Sequence, residues 1–139
     1  MRALSIRQPW ASLILAGIKT VENRSWPTKY LGSLVIHASR KIDRHALQLA
    51  RMHGIHEFPT GGYLGAVDLT GCHHDEDCRG CTDFSEHNQF HWDMQRPRSL
   101  PDLIPGHGQL QFWTPPPEVL DAVARLDAAR LIEQHGGTE

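Results

Sequence analysis

The sequence has no long apolar run, few cysteines and no apolar leader, and each of these absences excludes a class of protein. None of its 139 residues belongs to a stretch of about 18 consecutive apolar residues, so no segment is predicted to span a membrane. The three cysteines are odd in number and do not form a disulfide framework, which indicates a reducing compartment. The first ten residues lack the apolar segment of a secretory signal. We therefore expect a cytoplasmic protein.

The composition predicts one globular domain with an uneven distribution of charge. Hydrophobic residues make up 40% of the chain, enough for a core, and the length suits a single domain over residues 1–139. Residues 1–53 carry nine Lys or Arg against two acids, a net charge of +7, whereas the remaining residues carry −9. A basic half attracts phosphate. Alternatively, the two halves intermix in the fold and their fields cancel.

Apolar periodicity predicts short strands joined by a few helices. Predicted strands cover residues 3–6, 19–26, 33–38, 63–70, 89–95 and 109–113. Helices are expected after Pro9, after Asp43 and at residues 115–135, whereas the proline-rich segment 97–108 is predicted to be a loop. This pattern indicates an α+β fold, a small and mostly antiparallel β-barrel with helices at its mouth.

The densest group of reactive side chains lies in residues 17–24, which match the pattern GxKxxExR. On a pleated strand Thr20, Glu22 and Arg24 share a face, and Lys19 joins them if it lies on the turn before the strand. Lys19 could act as a base or bind phosphate. Glu22 could accept a hydrogen bond from a base amine or act as a general base, and Arg24 suits bidentate contacts. The alternative is a buried ionic network that only ties the strand to the helix.

Aromatic and polar residues beside this motif are further candidates for ligand contacts. Trp10 and Trp26 flank it, and aromatic faces stack on bases, although both rings could instead be core residues. Gln8 and His37 could add polar groups to the same cleft, or could be satisfied structural residues.

The sequence resembles the ASCH domain family of the PUA-like superfamily. The resemblance covers most of residues 1–113 and is carried by residues 4–11, the GxKxxExR block with 25–27, and residues 34–39. It implies a PUA-like β-barrel with helices at its mouth and a cleft for RNA, DNA or a modified nucleobase. Some relatives are amidohydrolases acting on N4-acetylcytidine, and at least one type cuts RNA. The amidohydrolases use a Lys that matches Lys19, but their nucleophilic Thr falls where this chain has Glu22.

The polar insert at residues 72–91 contains all three cysteines and several histidines. The spacing of Cys78 and Cys81 suits zinc, because a tight turn directs both thiolates at one ion. We expect a structural zinc held by Cys72, Cys78, Cys81 and a histidine, with His74 first and His91 as the alternative. Free thiols on a loop are the other interpretation. A deaminase site is not predicted, because its signature needs a proline before the cysteine pair.

Together these features predict a domain that binds nucleic acid or a modified nucleobase in the Lys/Glu/Arg cleft. The expected partners are RNA, another single-stranded nucleic acid or a modified nucleoside. The alternative is a hydrolase in the same cleft, with Lys19 and Glu22 as catalytic residues. No cofactor other than structural zinc is expected.

Overall fold

The computed structural model describes residues 1–78 and 81–136 and contains a five-stranded sheet with helices. The strands are β1 (Arg2–Gln8), β2 (Val21–Arg24), β3 (Gly32–Ile42), β4 (Gly62–His74) and β5 (Phe90–Pro105). The helices are α1 (Trp10–Leu15), α2 (Leu47–Met52), α3 (Asp75–Cys78) and α4 (Pro117–Gly136), with a 3-10 turn at Arg44–Ala46. Within the described ranges, no helix is both long and apolar enough to cross a bilayer.

The sheet is mixed, with strand order β1-β3-β4-β5-β2. The β1–β3 pair is parallel, and the other three pairs are antiparallel. The fold is therefore α+β, but the closed barrel expected from the sequence is not seen. In the described parts of the chain no ladder joins the two edge strands β1 and β2, and the four residues of β2 pair with β5. One side-chain bond crosses this gap, from Arg24 Nη2 to the Ser5 carbonyl.

The prediction of a loop at 97–108 was wrong, because β5 continues to Pro105. Pro97 and Pro101 lie between the paired positions of β5, where the register with β4 shifts. A residue without an N–H is tolerated in a strand at such bulges. The predicted strand at 109–113 was also wrong, since a single bridge between Ala3 and Trp113 is what forms there.

Alternating residues of the strands supply two hydrophobic clusters, one on each face of the sheet. Leu4 and Leu34 belong to the cluster that includes Ile14 of α1, whereas Ala3 and Val35 belong to the cluster that includes residues of α4. The helices therefore cover opposite faces and leave the gap between β1 and β2 open to solvent.

Candidate functional site

A cleft of about 1140 Å³ opens where the edge strands β1 and β2 face each other. Its lining comes from β1, β2, the end of β3, residues 83–86 and residues 106–111. The floor is formed by side chains of the GxKxxExR motif, because the turn after α1 leads directly into β2.

Lys19, Glu22 and Arg24 form one ionic network on this floor, the arrangement that the sequence left open as the alternative to a purely ligand-binding role. Lys19 Nζ lies 3.0 Å from Glu22 Oε1, and Arg24 Nη2 lies 2.7 Å from Glu22 Oε2. Arg24 Nε donates a second bond to Oε2 at 3.1 Å. The Lys19 and Glu22 side chains are 4% and 8% exposed, and that of Arg24 is 24% exposed. Two cations thus surround one nearly buried carboxylate.

The network keeps Glu22 ionised. Burial by itself raises the pKa of Glu22, but the charges of Lys19 and Arg24 and their hydrogen bonds outweigh it and hold this pKa below its ordinary value. Three N–H groups bind the carboxylate, and a carboxylate offers about four acceptor positions. Glu22 therefore retains capacity to accept a hydrogen bond from a ligand.

The two tryptophans that flank the motif have different surroundings. Trp10 lines the cleft, with Lys19 Nζ 5.5 Å from its ring centroid and the ring of Phe84 at 6.5 Å. Trp26 also lines the cleft, but it packs edge-on against Trp92 at 4.6 Å and Phe112 at 5.5 Å. Both rings also pack against the hydrophobic cluster around Leu4 and Leu34. Trp26 has two close aromatic neighbours and Trp10 has one, so we take Trp10 as the better candidate to meet a planar ligand.

His37 is buried at the back of the cleft as a neutral imidazole. Its Nε2 lies 2.8 Å from the Gly106 carbonyl, and its Nδ1 lies 2.9 Å from Ser5 Oγ. A carbonyl only accepts, so Nε2 carries the proton and Nδ1 accepts from Ser5. Burial lowers the pKa of His37. The hydrogen bond to Gly106 raises this pKa, but the effect of burial is larger. Gly108 lies directly over this pair, since a Cβ there would come within 2.9 Å of the His37 ring.

Three exposed cations line the rim of the cleft, and sequence reasoning did not single them out. Arg7 lies near the end of β1, and Arg40 and Lys41 lie near the end of β3. Across the described residues, no ion pair within 4.0 Å involves any of the three. The signal available in the sequence was that both apolar runs end in basic residues. The parallel pairing of β1 with β3 then brings these ends together.

Two residues proposed from the sequence as ligand contacts do not line the cleft. Gln8 is fully buried, donating to the Pro59 carbonyl at 2.8 Å and accepting from the Ser12 N–H at 3.0 Å. Thr20 is exposed and lies outside the cleft lining, although its carbonyl accepts from the Met94 N–H. The fold thus uses Gln8 to tie β1 to a neighbouring loop.

Asn23 of β2 holds the part of the cleft wall that residues 83–86 form. The Asn23 amide donates to the Phe84 carbonyl at 2.9 Å and accepts from the Glu86 N–H at 2.9 Å. This pair of bonds fixes residues 84–86 beside the ionic network, where Phe84 meets the Trp10 ring. Asn23 therefore holds residues that contribute to the cleft lining.

A second group of side chains lies at the outer end of the β4–β5 pair. Ligand atoms of His73, Cys78, Cys81 and His91 all lie within 4.8 Å of one another. The hydrogen bond with Cys78 lowers the pKa of the Cys81 thiol to about 6, although burial acts in the opposite direction and raises it. The same hydrogen bond raises the pKa of the Cys78 thiol. This group could hold a metal ion.

The composition of this group differs from the ligand set expected from spacing. Cys78, Cys81 and the alternative histidine, His91, are members, and His73 replaces the first-choice His74. Cys72 packs against the hydrophobic cluster on the other face of β4. His74 packs edge-on against Phe90 at 4.9 Å, and its Nδ1 accepts from the Glu76 N–H.

Comparison with known proteins identifies relatives of this fold. The ASCH domain model matches residues 4–101, more than half of the chain. Activating signal cointegrator 1 of Homo sapiens is 40% identical over 80 residues, which is 50% of this chain and 14% of that protein. The Mus musculus protein of the same name is 39% identical over 80 residues, with equal coverage. The chain thus spans a small part of the length of these curated relatives.

Two crystal structures of the ASCH protein from Zymomonas mobilis are similar in fold. One is of a point mutant, with a TM-score of 0.62 over 90% of this chain and 96% of that one. The other has a TM-score of 0.61 over 90% of this chain and 94% of that one. Both are 14% identical in sequence, so the similarity concerns the fold.

Proposed function

The chain belongs to the ASCH domain family, and from that premise we propose that its cleft binds single-stranded nucleic acid, with RNA the first candidate, through a nucleobase held at the floor. The observation that carries this proposal is that the cleft floor and a group of exposed cations lie side by side. A polar, aromatic-lined floor built on Glu22 lies beside a rim of three cations that have no acidic partner among the described residues.

The floor suits the edge and face of a base. The ionised Glu22 can accept from an exocyclic amine, as carboxylates do with cytosine, and Arg24 and Lys19 hold it in place. The Trp10 ring offers a stacking surface. Ser39 also contributes to the cleft lining.

The rim suits the backbone of the same strand. Arg7, Arg40 and Lys41 are exposed and can each neutralise a phosphate, which supplies most of the affinity and makes it dependent on salt. Lys19 suits this role less well than the sequence suggested, because it is buried and already paired with Glu22. We therefore assign phosphate contacts to the rim and base contacts to the floor.

The hydrolase alternative is less well supported by the same cleft. A general base works best when its pKa lies near the working pH, and the pKa of Glu22 is held low by its two cations. The hydroxyl of Thr20, the one near the matched nucleophile position, lies outside the cleft lining. We therefore favour a binding module over an amidohydrolase or a ribonuclease.

The proposal is tested by fluorescence anisotropy with a labelled single-stranded RNA of about 12 nucleotides, within the range that one small domain covers. In the triple variant Arg7→Gln, Arg40→Gln, Lys41→Gln, affinity is expected to fall. Each phosphate contact contributes about 0.7 to the dependence of log K on log salt. The slope should therefore fall by about 2 when all three contacts are lost.

A matched control removes the same charge elsewhere. Lys29, Arg125 and Arg130 are exposed and lie outside the cleft lining, so their replacement by Gln is expected to leave the slope unchanged. Equal losses in both triple variants would show non-specific attraction and overturn the cleft assignment. A parallel incubation of RNA and of N4-acetylcytidine with excess protein tests turnover, and product in either tube would replace the binding module with the hydrolase.

A further inference from the structure

We propose that His73, Cys78, Cys81 and His91 bind one structural zinc ion, and that this ion fixes the wall of the cleft formed by residues 83–86. The four residues come from the facing ends of β4 and β5 and from the segment between them. The proposal rests on three observations: the geometry of the four ligand atoms, the partners of the two imidazoles, and the hydrogen bonds that join this group to the cleft.

The four nitrogen–sulfur separations are close to those of a tetrahedral site, whereas the two sulfurs lie closer together than a bound ion would hold them and would have to move apart. Zinc bound to sulfur at about 2.3 Å and to nitrogen at about 2.0 Å needs ligand atoms roughly 3.3–3.8 Å apart. His73 Nε2 lies 3.1 Å from Cys78 Sγ and 3.4 Å from Cys81 Sγ. His91 Nδ1 lies 3.5 Å and 3.9 Å from the same sulfurs. The two sulfurs are 2.7 Å apart as free thiols, longer than a covalent bond of about 2.05 Å.

Each imidazole is oriented by a partner on its other nitrogen. His91 Nε2 lies 2.8 Å from the Glu86 carbonyl, so Nε2 carries the proton and Nδ1 presents a lone pair to the sulfurs. His73 Nδ1 lies 3.4 Å from the carboxylate of Asp93, which leaves Nε2 for the metal. A carbonyl or carboxylate behind each histidine is the arrangement by which proteins set the tautomer of metal ligands.

The strand register explains why these two histidines meet. His73 and His91 are direct cross-strand partners in the β4–β5 ladder, so their side chains lie on the same face. Cys78 and Cys81 have the C-x-x-C spacing of a zinc-binding turn. Two ligands from the β4–β5 ladder, one from the end of α3 and one shortly after it define a closed site with four protein ligands, which is the form of a structural rather than a catalytic zinc.

Hydrogen bonds of residues 81–86 connect the four candidate zinc ligands to the cleft. Glu86, whose carbonyl orients His91, donates its N–H to Asn23 on the cleft floor. Cys81 Sγ contacts Ser85 Oγ at 3.7 Å, and the neighbouring Phe84 packs toward Trp10. A zinc ion bound to both Cys81 and His91 would therefore hold the segment 82–90 at each of its ends. Without the ion, the two Asn23 bonds, the Thr82–Ser85 bonds and the contact of Phe84 with Trp10 remain to hold this wall.

Metal content is the first test. Protein purified under reducing conditions without chelator should contain about one zinc per chain by mass spectrometry of the dissolved metal. Metal-free protein titrated with Co²⁺ should develop the visible absorption of a tetrahedral site with thiolate charge transfer. Cys81→Ser and His73→Ala should abolish or greatly reduce both signals.

Two matched controls separate this ligand set from the one expected from spacing alone. Cys72→Ala and His74→Ala alter the neighbouring Cys and His, whose side chains lie on the opposite face of β4, and should keep one zinc per chain. Loss of metal in either control would replace the proposed set. Absence of zinc and of a Co²⁺ spectrum in the wild-type protein, or a Cys78–Cys81 disulfide by mass, would overturn the site.

Hydrogen exchange tests the connection to the cleft. Removal of zinc by a chelator should speed amide exchange in residues 82–87 while the central ladder of β3 and β4 keeps its protection. If zinc is present but its removal leaves exchange of this loop unchanged, the ion does not fix the wall. This readout does not depend on nucleic-acid binding, so its result is independent of the proposed function.

Discussion

Replacing Glu22 by glutamine tests the energetics of the cleft floor. Glu22→Gln keeps the size and one acceptor of the side chain but removes the only negative charge that Lys19 and Arg24 contact in the described network. The amide also places N–H donors toward one of these cations. Both Lys19 and Glu22 are nearly buried, so water compensates little for the lost charge.

The expected cost is large for a single polar substitution. Removing one partner of a buried ion pair destabilises a protein by about 3–5 kcal/mol, because the remaining charge stays buried without compensation. Urea m-values for small domains are about 1–3 kcal/mol/M, so the unfolding midpoint should fall by about 2 M. Equilibrium urea unfolding followed by tryptophan fluorescence measures this shift. Glu86→Gln, an exposed acid on the cleft wall, is the control and should change stability by less than about 0.5 kcal/mol.

The pH dependence gives an independent check of the same reasoning. The pKa of Glu22 is lowered in the folded protein from an ordinary value of 4.5. Its contribution is therefore fully present above pH 4.5 and is lost as the pH falls through the folded-state pKa. The difference in unfolding free energy between wild type and Glu22→Gln should accordingly shrink below pH 4.5. A loss under about 1 kcal/mol at pH 7, or a difference that stays constant to pH 3, would refute the buried network as described.

Three further predictions follow from the cleft and the sheet. Trp10→Ala should weaken RNA binding by about 1–3 kcal/mol through lost stacking, measured by anisotropy, whereas Trp10→Phe should retain most of the affinity; equal losses would argue against stacking. Gly65→Ala should lower stability by about 1–3 kcal/mol in urea unfolding, because its Cβ would lie 2.1 Å from the Arg98 carbonyl oxygen; an unchanged midpoint would contradict the close β4–β5 contact. His37 has a lowered pKa, so wild type should gain stability as the pH rises through the folded-state pKa toward 6.5, and the gain should level off above it. A His37→Gln variant should lack that gain, and parallel pH profiles for the two proteins would disprove it.

The sequence by itself determined the local features of this protein. Lys19, Glu22 and Arg24 are within six residues of one another, and short-range spacing restricts which side chains can meet, so the sequence alone indicates that they come together, in a ligand cleft or in an ionic network. The apolar runs that became β1, β3 and β4 were recognisable for the same reason, as were α1 and the C-terminal helix. The boundaries were less well predicted, since the prolines of β5 are tolerated through bulges that depend on the partner strand.

Only the tertiary structure decided which distant residues share a face or an edge. The parallel pairing of β1 with β3 gathers Arg7, Arg40 and Lys41 at one rim, and nothing in the spacing along the chain specifies a parallel partner. The same limit applies to the metal group, where Cys72 and His73 are neighbours in sequence but point to opposite faces of β4. The register of β4 with β5 sets His73 opposite His91 and Cys72 opposite Trp92. Separation along the chain does not predict which of these residues can share a metal ion, because adjacent side chains of a strand point to opposite faces of the sheet. The pairing of the strand with its neighbours decides what each face contacts.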